Sequence, residues 1–489
     1  MERKSIVKNY IYNLFYQIII LILPLITTPY ISRTLGAEAI GIYSFTYSVA
    51  TYFILFGSLG VSWYGQREVA YLQNDIEKRS KLFFEIVLMR FIMMIISVTL
   101  FYVFYVNGTE YNLYYAILLI EMFSTILDIS WFFMGMEEFK KTVIRNLIVK
   151  VLFVTLIFTI VKTPSDLPKY FLIVTLSNLI GNLSLWCYLP KYIQKTKIKE
   201  LNIFKHIKPT IVLFVPQIAI QIYTVLDKTM LGYVIDNKSE VGYYEQGQKI
   251  VKMLLVIVTS LGTVMLPRMA NSYANNEKEV FKNSLYNSIR FVYLLAFPIM
   301  AGVLLVANTF VPFFLGPGYE KVIILVQIIV PIILFIGLTN VIGMQYFITT
   351  KQSKKLTLSV TIGAVINFLL NIVLIKNYAS VGASIATVIA EGMVFIVQMY
   401  MIRKEFNIWA IIKLSKNPII STFVMCLIAY GISNLFDERL IGMCVEIFVG
   451  IIIYFITLFI LKDDFLKQLL EKVAVKIKFV DKLVKYNWK

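Results

Sequence analysis

The chain has 489 residues, 58% of them hydrophobic and only 16% charged, and its mean hydropathy is +0.75. Soluble domains carry nearer 25% charge, and no water-soluble core absorbs this much apolar side chain, so a soluble globular protein is excluded. The formal charge of +18 is dispersed through polar connections without a nucleic-acid motif, and one histidine with three cysteines supports neither a zinc site nor a disulfide framework.

Apolar runs of roughly 20 residues, the length that crosses a bilayer as a helix, recur from Ile11 to Leu461. The short alternating segments of a transmembrane barrel are missing. The basic stretch 1–10 opens straight into the first run without a small-residue cleavage site, so it reads as the start of a helix and not as a signal peptide. Spans are expected at 10–31, 40–62, 82–106, 112–134, 146–162, 168–189, 209–234, 247–267, 288–310, 321–345, 357–375, 380–402, 418–436 and 440–461. The fold class is therefore an all-α integral membrane protein with about fourteen transmembrane helices. After Lys462 the apolar residues Phe465, Leu466, Leu469, Leu470 and Val473 fall near one helical face with lysines on the rest, the pattern of an amphipathic interfacial tail.

An even count puts both termini on one side. Some thirty-four lysines and arginines then fall on that side against six on the other, so the positive-inside rule makes both termini cytoplasmic. Two stretches also repeat. Arg33-Thr34-Leu35-Gly36, Ile40-Gly41-Ile42-Tyr43, Ser58-Leu59-Gly60 and Arg67-Glu68-Val69-Ala70 have counterparts in Lys228-Thr229-Met230-Leu231-Gly232, Val241-Gly242-Tyr243-Tyr244, Ser260-Leu261-Gly262 and Arg268-Met269-Ala270. Both copies start on spans of the same direction, which predicts a pseudo-twofold along the membrane normal. The expected organisation is a six-helix bundle over 1–200, a second over 201–416, two appended helices over 417–461 and the tail over 462–489.

Several of these segments look familiar. Ile31-Ser32-Arg33-Thr34-Leu35-Gly36, the run Trp63 to Glu68, the run Asp128 to Glu137, Leu226 to Gly232, Leu315-Gly316-Pro317-Gly318-Tyr319 and Gly382 to Thr387 together resemble the polysaccharide repeat-unit flippases. These belong to the multidrug, oligosaccharidyl-lipid and polysaccharide exporter superfamily. The resemblance implies alternating access between the two bundles. It also implies a cargo of undecaprenyl-pyrophosphate-linked oligosaccharide or teichoic-acid repeat moved from the inner to the outer leaflet. A bacterial cytoplasmic membrane protein that meets membrane lipids and works as a monomer fits that picture, with capsule or teichoic acid the expected product. A cation-coupled drug exporter of the same superfamily and a membrane glycosyltransferase or polymerase are the alternatives.

A pyrophosphate needs cations held inside the membrane. On the seventh span Gln217, Gln221, Thr224 and Lys228 share one face, with Tyr223 and Asp227 beside them, and the repeat aligns Arg33 with Lys228. Glu245, Lys249 and Lys252 share a face of the eighth span. Arg33, Lys228, Lys249 and Lys252 are the candidate pyrophosphate ligands, or else Lys228 pairs with Asp227 or Glu245. Tyr43, Tyr47, Tyr223, Tyr243 and Tyr244 are candidates to stack on sugars. Embedded Arg90, Lys150 and Arg290 and the acids Glu121 and Asp128 are candidates for ion pairing, gating or coupling to a proton or sodium ion. Arg67, Arg145 and Arg268 sit at cytoplasmic helix ends, as gate or as orienting charge. The nearest approach to a nucleotide-binding loop has Gln248 where its lysine belongs, and His206, in a lysine-rich loop, has no partners for a catalytic triad. Neither an enzymatic reaction nor a cofactor is expected.

Overall fold

The computed structural model describes residues 6–433 and 439–474. Among the described residues the chain forms helices and no strand, because in hydrocarbon each backbone donor and acceptor must find its partner within the segment. In chain order the helices are α1 Ile6–Ser58, α2 Val61–Tyr71, α3 Ile76–Phe101, α4 Asn112–Ile126, α5 Ser130–Gly135, α6 Phe139–Ile160, α7 Leu167–Trp186 and α8 Phe204–Val234. They continue as α9 Ser239–Ala274, α10 Lys278–Leu315, α11 Glu320–Ile329, α12 Ile332–Thr339, α13 Ser353–Ile402, α14 Ile408–Lys413, α15 Lys416–Ser433, α16 Arg439–Ile460 and α17 Asp464–Ala474.

Ten described helical stretches are long and apolar enough to cross a membrane. Two of them hold two expected spans each. α1, 53 residues long, covers the first and second spans, and α13, 50 residues long, covers the eleventh and twelfth. Where the apolar pattern suggested loops, the chain instead turns at a single residue: Gly36 (φ 80°, ψ 170°) in α1 and Ala379 (φ 49°, ψ −126°) in α13. Glycine takes such a φ freely, whereas alanine holds it at a cost of about 1–3 kcal/mol. α6 and α8 occupy the places of the fifth and seventh expected spans.

By packing, the chain divides into two compact units, Met1–Gly242 and Tyr243–Lys489. In the first, α1 runs against α3 and α8, α4 and α6 against α7, and α2 against α5. An aromatic core there gathers Phe83, Trp131 and Phe132 with Tyr64 and Leu185. In the second, α10 packs against α11, α15 and α16, and α13 against α11 and α12. Its smaller core joins Leu294, Tyr454, Leu458, Phe465 and Leu466, so the amphipathic helix α17 lays part of its apolar face on protein. α8, which the repeat makes the first helix of a second bundle, packs on α1 within the first unit. The repeat reports how the chain is copied, and the packing boundary reports which helices touch.

Candidate functional site

Within the first unit, the two repeat copies meet at a pair of glycines. A methyl group added at Gly41 would run into the carbonyl of Lys238 and stand 3.0 Å from the amide of Gly242. One added at Gly242 would run into the carbonyl of Ala37 and stand 3.1 Å from the amide of Gly41. The two glycines occupy equivalent repeat positions, and each meets the carbonyl four residues before the other. That reciprocity is the mark of a contact on a twofold axis.

The residues around the crossing seal it. Gly232 lies directly against the ring of Phe45, whose edge also meets Tyr233 at 5.1 Å between centroids. The Lys238 ammonium donates to the carbonyls of Gly232 (2.6 Å) and Ile235 (3.0 Å), closing the end of α8, and stands 5.1 Å over the Phe45 ring. Burial lowers its pKa, against the opposing pull of Asp236 and Glu110. Seven residues further along α1, about 10 Å by helical rise, the Thr229 hydroxyl donates to Ser48 Oγ at 2.9 Å, with Tyr52 Oη at 3.2 Å. This contact sets the depth of the neighbouring Asp227 and Lys228.

Asp227 is buried and Lys228 half-buried, and both are engaged by neighbours, as are half-buried Tyr223 and exposed Arg33. Gln221 is half-buried; the side chain of Gln217, also on α8, lies outside the described residues. In the second unit Glu245 and Lys249 are half-buried and Lys252 exposed on α9, all three with interaction partners.

The aromatic candidates separate. Tyr43 and Tyr47 stack at 5.6 Å, half-buried, with Tyr43 edge-on to Tyr170 and Phe171. Tyr244 is committed elsewhere: it is 1% exposed, with its hydroxyl 2.8 Å from Thr387 Oγ1 and accepting from Gln248 Nε2 at 2.7 Å.

The ionisable candidates of the first unit mostly hold helices together. Arg90, 3% exposed, donates to the Asp128 carbonyl at 2.6 Å, and the Asp128 carboxylate, 4.0 Å from the guanidinium, accepts from the Ser130 amide at the start of α5. Arg145 on α6 donates to Asn182 Oδ1 on α7 at 3.0 Å. Arg67 pairs with its chain neighbour Glu68 at 2.7 Å. Glu121 differs: its carboxylate is buried and both oxygens lie 3.0 Å from the donating amide of Asn178, with no cation within 4 Å among the described residues. In the second unit Arg268 is exposed on α9, and Arg290 lines a cavity beside α14 and α15.

The polysaccharide biosynthesis protein family matches this chain over residues 6–273, and the lipid II flippase MurJ family matches residues 182–450. The chain is 24% identical over 410 residues to a putative O-antigen transporter of Escherichia coli K12, an alignment covering 83% of this chain and 98% of the relative. It is 22% identical over 237 residues, 47% of this chain and 49% of the relative, to a probable low-salt glycan biosynthesis flippase of Haloferax volcanii. This chain belongs to the polysaccharide flippase family of the multidrug, oligosaccharidyl-lipid and polysaccharide exporter superfamily. Its fold is that of lipid II flippase MurJ in an inward closed conformation, with a TM-score of 0.71 over 92% of this chain and 98% of that one at 18% identity. An inward-facing multidrug transporter of the superfamily follows, with a TM-score of 0.62 over 80% and 95% at 13% identity.

Two polar clusters of this flippase escaped the sequence reading. His206 was expected in a lysine-rich loop but is buried at the start of α8. Its Nδ1 lies 2.7 Å from the Tyr64 hydroxyl and its Nε2 2.8 Å from Glu85, whose carboxylate also meets Lys205 at 2.7 Å and accepts from the Asn202 amide at 2.8 Å. Glu85 is fully buried, so this network ties α2, α3 and α8 together. In the second unit Asn367, Asn371, Gln398, Ser359 and Gln345 are buried; Asn371 donates to Asn367 at 3.1 Å, and Gln398 donates to Ser359 Oγ at 3.1 Å within α13. Uncharged amides on a hydrophobic helix leave little mark in a hydropathy or charge pattern, which is why they went unread.

Proposed function

We propose that this flippase carries an undecaprenyl-pyrophosphate-linked oligosaccharide or teichoic-acid repeat unit from the inner to the outer leaflet of a bacterial cytoplasmic membrane, by alternating access. Membership of the family supplies the class of cargo. The observation that carries the mechanism is the reciprocal Gly41–Gly242 contact, which brings two copies of one repeat together backbone to backbone at the end that the charge pattern assigns to the outside. Lys228 and Asp227 lie about 10 Å inward of it.

In this reading Arg33, Lys228, Lys249 and Lys252 receive the pyrophosphate through charge-assisted hydrogen bonds, Gln217, Gln221 and Tyr223 line its route, and Asp227 and Glu245 balance the cations before cargo arrives. The stacked Tyr43 and Tyr47 offer a face for a sugar ring. Glu121, held by a neutral amide, is the place for a coupling proton; a sodium ion is the other candidate driver. Arg67, Asp128, Arg145, Arg268 and Arg290 act as structural or gating charges. Both termini are cytoplasmic and one chain suffices.

The test is reconstitution in liposomes with a fluorescent undecaprenyl-pyrophosphate glycan, following its appearance in the opposite leaflet. Transport by the wild type that collapses in Lys228→Ala and in Lys252→Ala is expected. Unchanged transport in both variants places the anion elsewhere, and no wild-type transport of several glycans overturns the cargo.

A further inference from the structure

At the end of the first unit where α1 leaves its Gly36 bend, a string of aromatic rings links α8, α1, α4 and α7. Tyr233 meets Phe45 at 5.1 Å between centroids, Phe45 meets Tyr111 at 6.2 Å and Tyr111 meets Tyr114 at 6.4 Å. Tyr114 stacks on Phe171 at 4.8 Å, Phe171 meets Tyr43 at 4.9 Å, and Tyr43 touches both Tyr47 and Tyr170. The Tyr105 hydroxyl, 2.8 Å from that of Tyr233, extends the string by a hydrogen bond.

The string is sorted by chemistry. Its phenylalanines, Phe45 and Phe171, are buried, whereas Tyr43, Tyr47, Tyr111, Tyr114 and Tyr170 are half-buried and Tyr233 is exposed. Each of these rings that keeps an accessible edge therefore carries a hydroxyl. A surface facing lipid tails has no use for that sorting: nearby Val103, Phe104 and Leu113 present bare hydrocarbon, Phe104 at 64% exposure. A pyranose matches it, with C–H groups on its face and hydroxyls around its rim, so a phenol ring meets the first and its hydroxyl the second.

The charge beside the string is negative. Glu38 and Glu110 are exposed near Tyr111, and burial together with these carboxylates pushes the Tyr111 hydroxyl pKa up to about 12, so it stays a donor. Three lysines at this end are committed: Lys238 to the carbonyls of Gly232 and Ile235, Lys169 to Asp166 at 2.6 Å, and Lys162 to the Phe158 carbonyl. An anionic sugar is repelled by the two exposed carboxylates.

We infer, resting on the reading of the chain as a carrier of lipid-linked oligosaccharide, that this string is a glycan-binding track: uncharged sugar rings of the cargo stack on Tyr43, Tyr47, Tyr114 and Tyr170 and hydrogen-bond to their phenols. The first unit thereby selects cargo by the charge of its sugars.

The full-length protein in phospholipid nanodiscs is mixed with chitotetraose, an uncharged oligosaccharide, or with tetragalacturonate, an anionic one of equal length, and binding is read by saturation-transfer NMR. The wild type is expected to transfer saturation to chitotetraose, and about fivefold less to tetragalacturonate at equal concentration. Chitotetraose affinity should fall about tenfold or more in Tyr114→Ala/Tyr170→Ala, in line with the worth of two aromatic contacts. It should fall about two- to fivefold in Tyr114→Phe/Tyr170→Phe, which keeps the packing and loses only the hydroxyls, and stay unchanged in Phe104→Ala, an exposed ring outside the string. No transfer in the wild type, or full affinity in both double variants, overturns the track even where liposomes transport lipid-linked cargo. Equal binding of tetragalacturonate overturns the selection by charge. Binding that follows these expectations without transport of any lipid-linked glycan supports the track and overturns the cargo reading instead.

Discussion

The contact of α1 with the end of α8 and the start of α9, and the α10–α16 junction, are both places where long helices meet, and they are built in opposite ways. At the crossing, glycines remove the side chains and backbone lies on backbone, with Thr229, Ser48 and Lys238 supplying the polar contacts. At the junction, Tyr454 reaches across to the α10 carbonyl and the helices stay apart, leaving two cavities. Small residues bring membrane helices close enough for dispersion and weak polar contacts to hold them, whereas large side chains that touch at one end leave a cavity at the other. Under the proposed alternating access, the first arrangement suits a contact that opens and reforms, and the second a permanent joint.

The sharpest way to break this comparison is to add bulk at the seal. Gly41→Val is expected to cost the closed crossing about 3 kcal/mol or more, since the colliding atoms belong to backbone that cannot step aside, and to lower liposome transport by about a hundredfold. Gly242→Val should match it, because the contact is reciprocal; a tolerated valine at either position refutes the seal. Next, Glu85→Ala strips the buried partner from His206 and Lys205 and should destabilise the protein by about 3 kcal/mol. Thermal unfolding in detergent reads that loss, and Glu85→Gln should recover part of it. Tyr454→Phe leaves the Leu294 carbonyl without its donor and should cost about 1–3 kcal/mol by the same measurement. The smallest effect carries the contrast furthest. Gly302→Ala should be neutral or stabilising by about 0.5–1 kcal/mol, since open space surrounds it and alanine favours helix, while Gly41→Ala lowers both stability and transport.

Much of this architecture was legible from residue order. Apolar runs located the helices because hydrocarbon demands about 20 apolar residues per crossing, and the repeat aligned Gly41 with Gly242 without foretelling that the two touch. The loops between paired spans were misread because one residue suffices to turn a helix there: Gly36 carries the signal, but Ala379 carries none. Type and depth marked Glu121 and Asp128 as possible partners of Arg90 or Lys150 without choosing among them; in the structure Arg90 meets Asp128, and Glu121 is held by Asn178. His206 was misread because its surroundings in sequence are lysines, while its surroundings in space are Glu85 and Tyr64.

By itself, the sequence determined a helical membrane protein with an internal repeat, since those properties follow from composition and period and need no knowledge of neighbours. Only the tertiary structure decided which glycines touch, that Glu85 meets His206 across 121 positions of chain, and that tyrosines of α1, α4 and α7 gather in one string of rings. Contacts between helices depend on how each is rotated and bent about its axis, and a change of one residue at a bend such as Ala379 redirects every side chain beyond it.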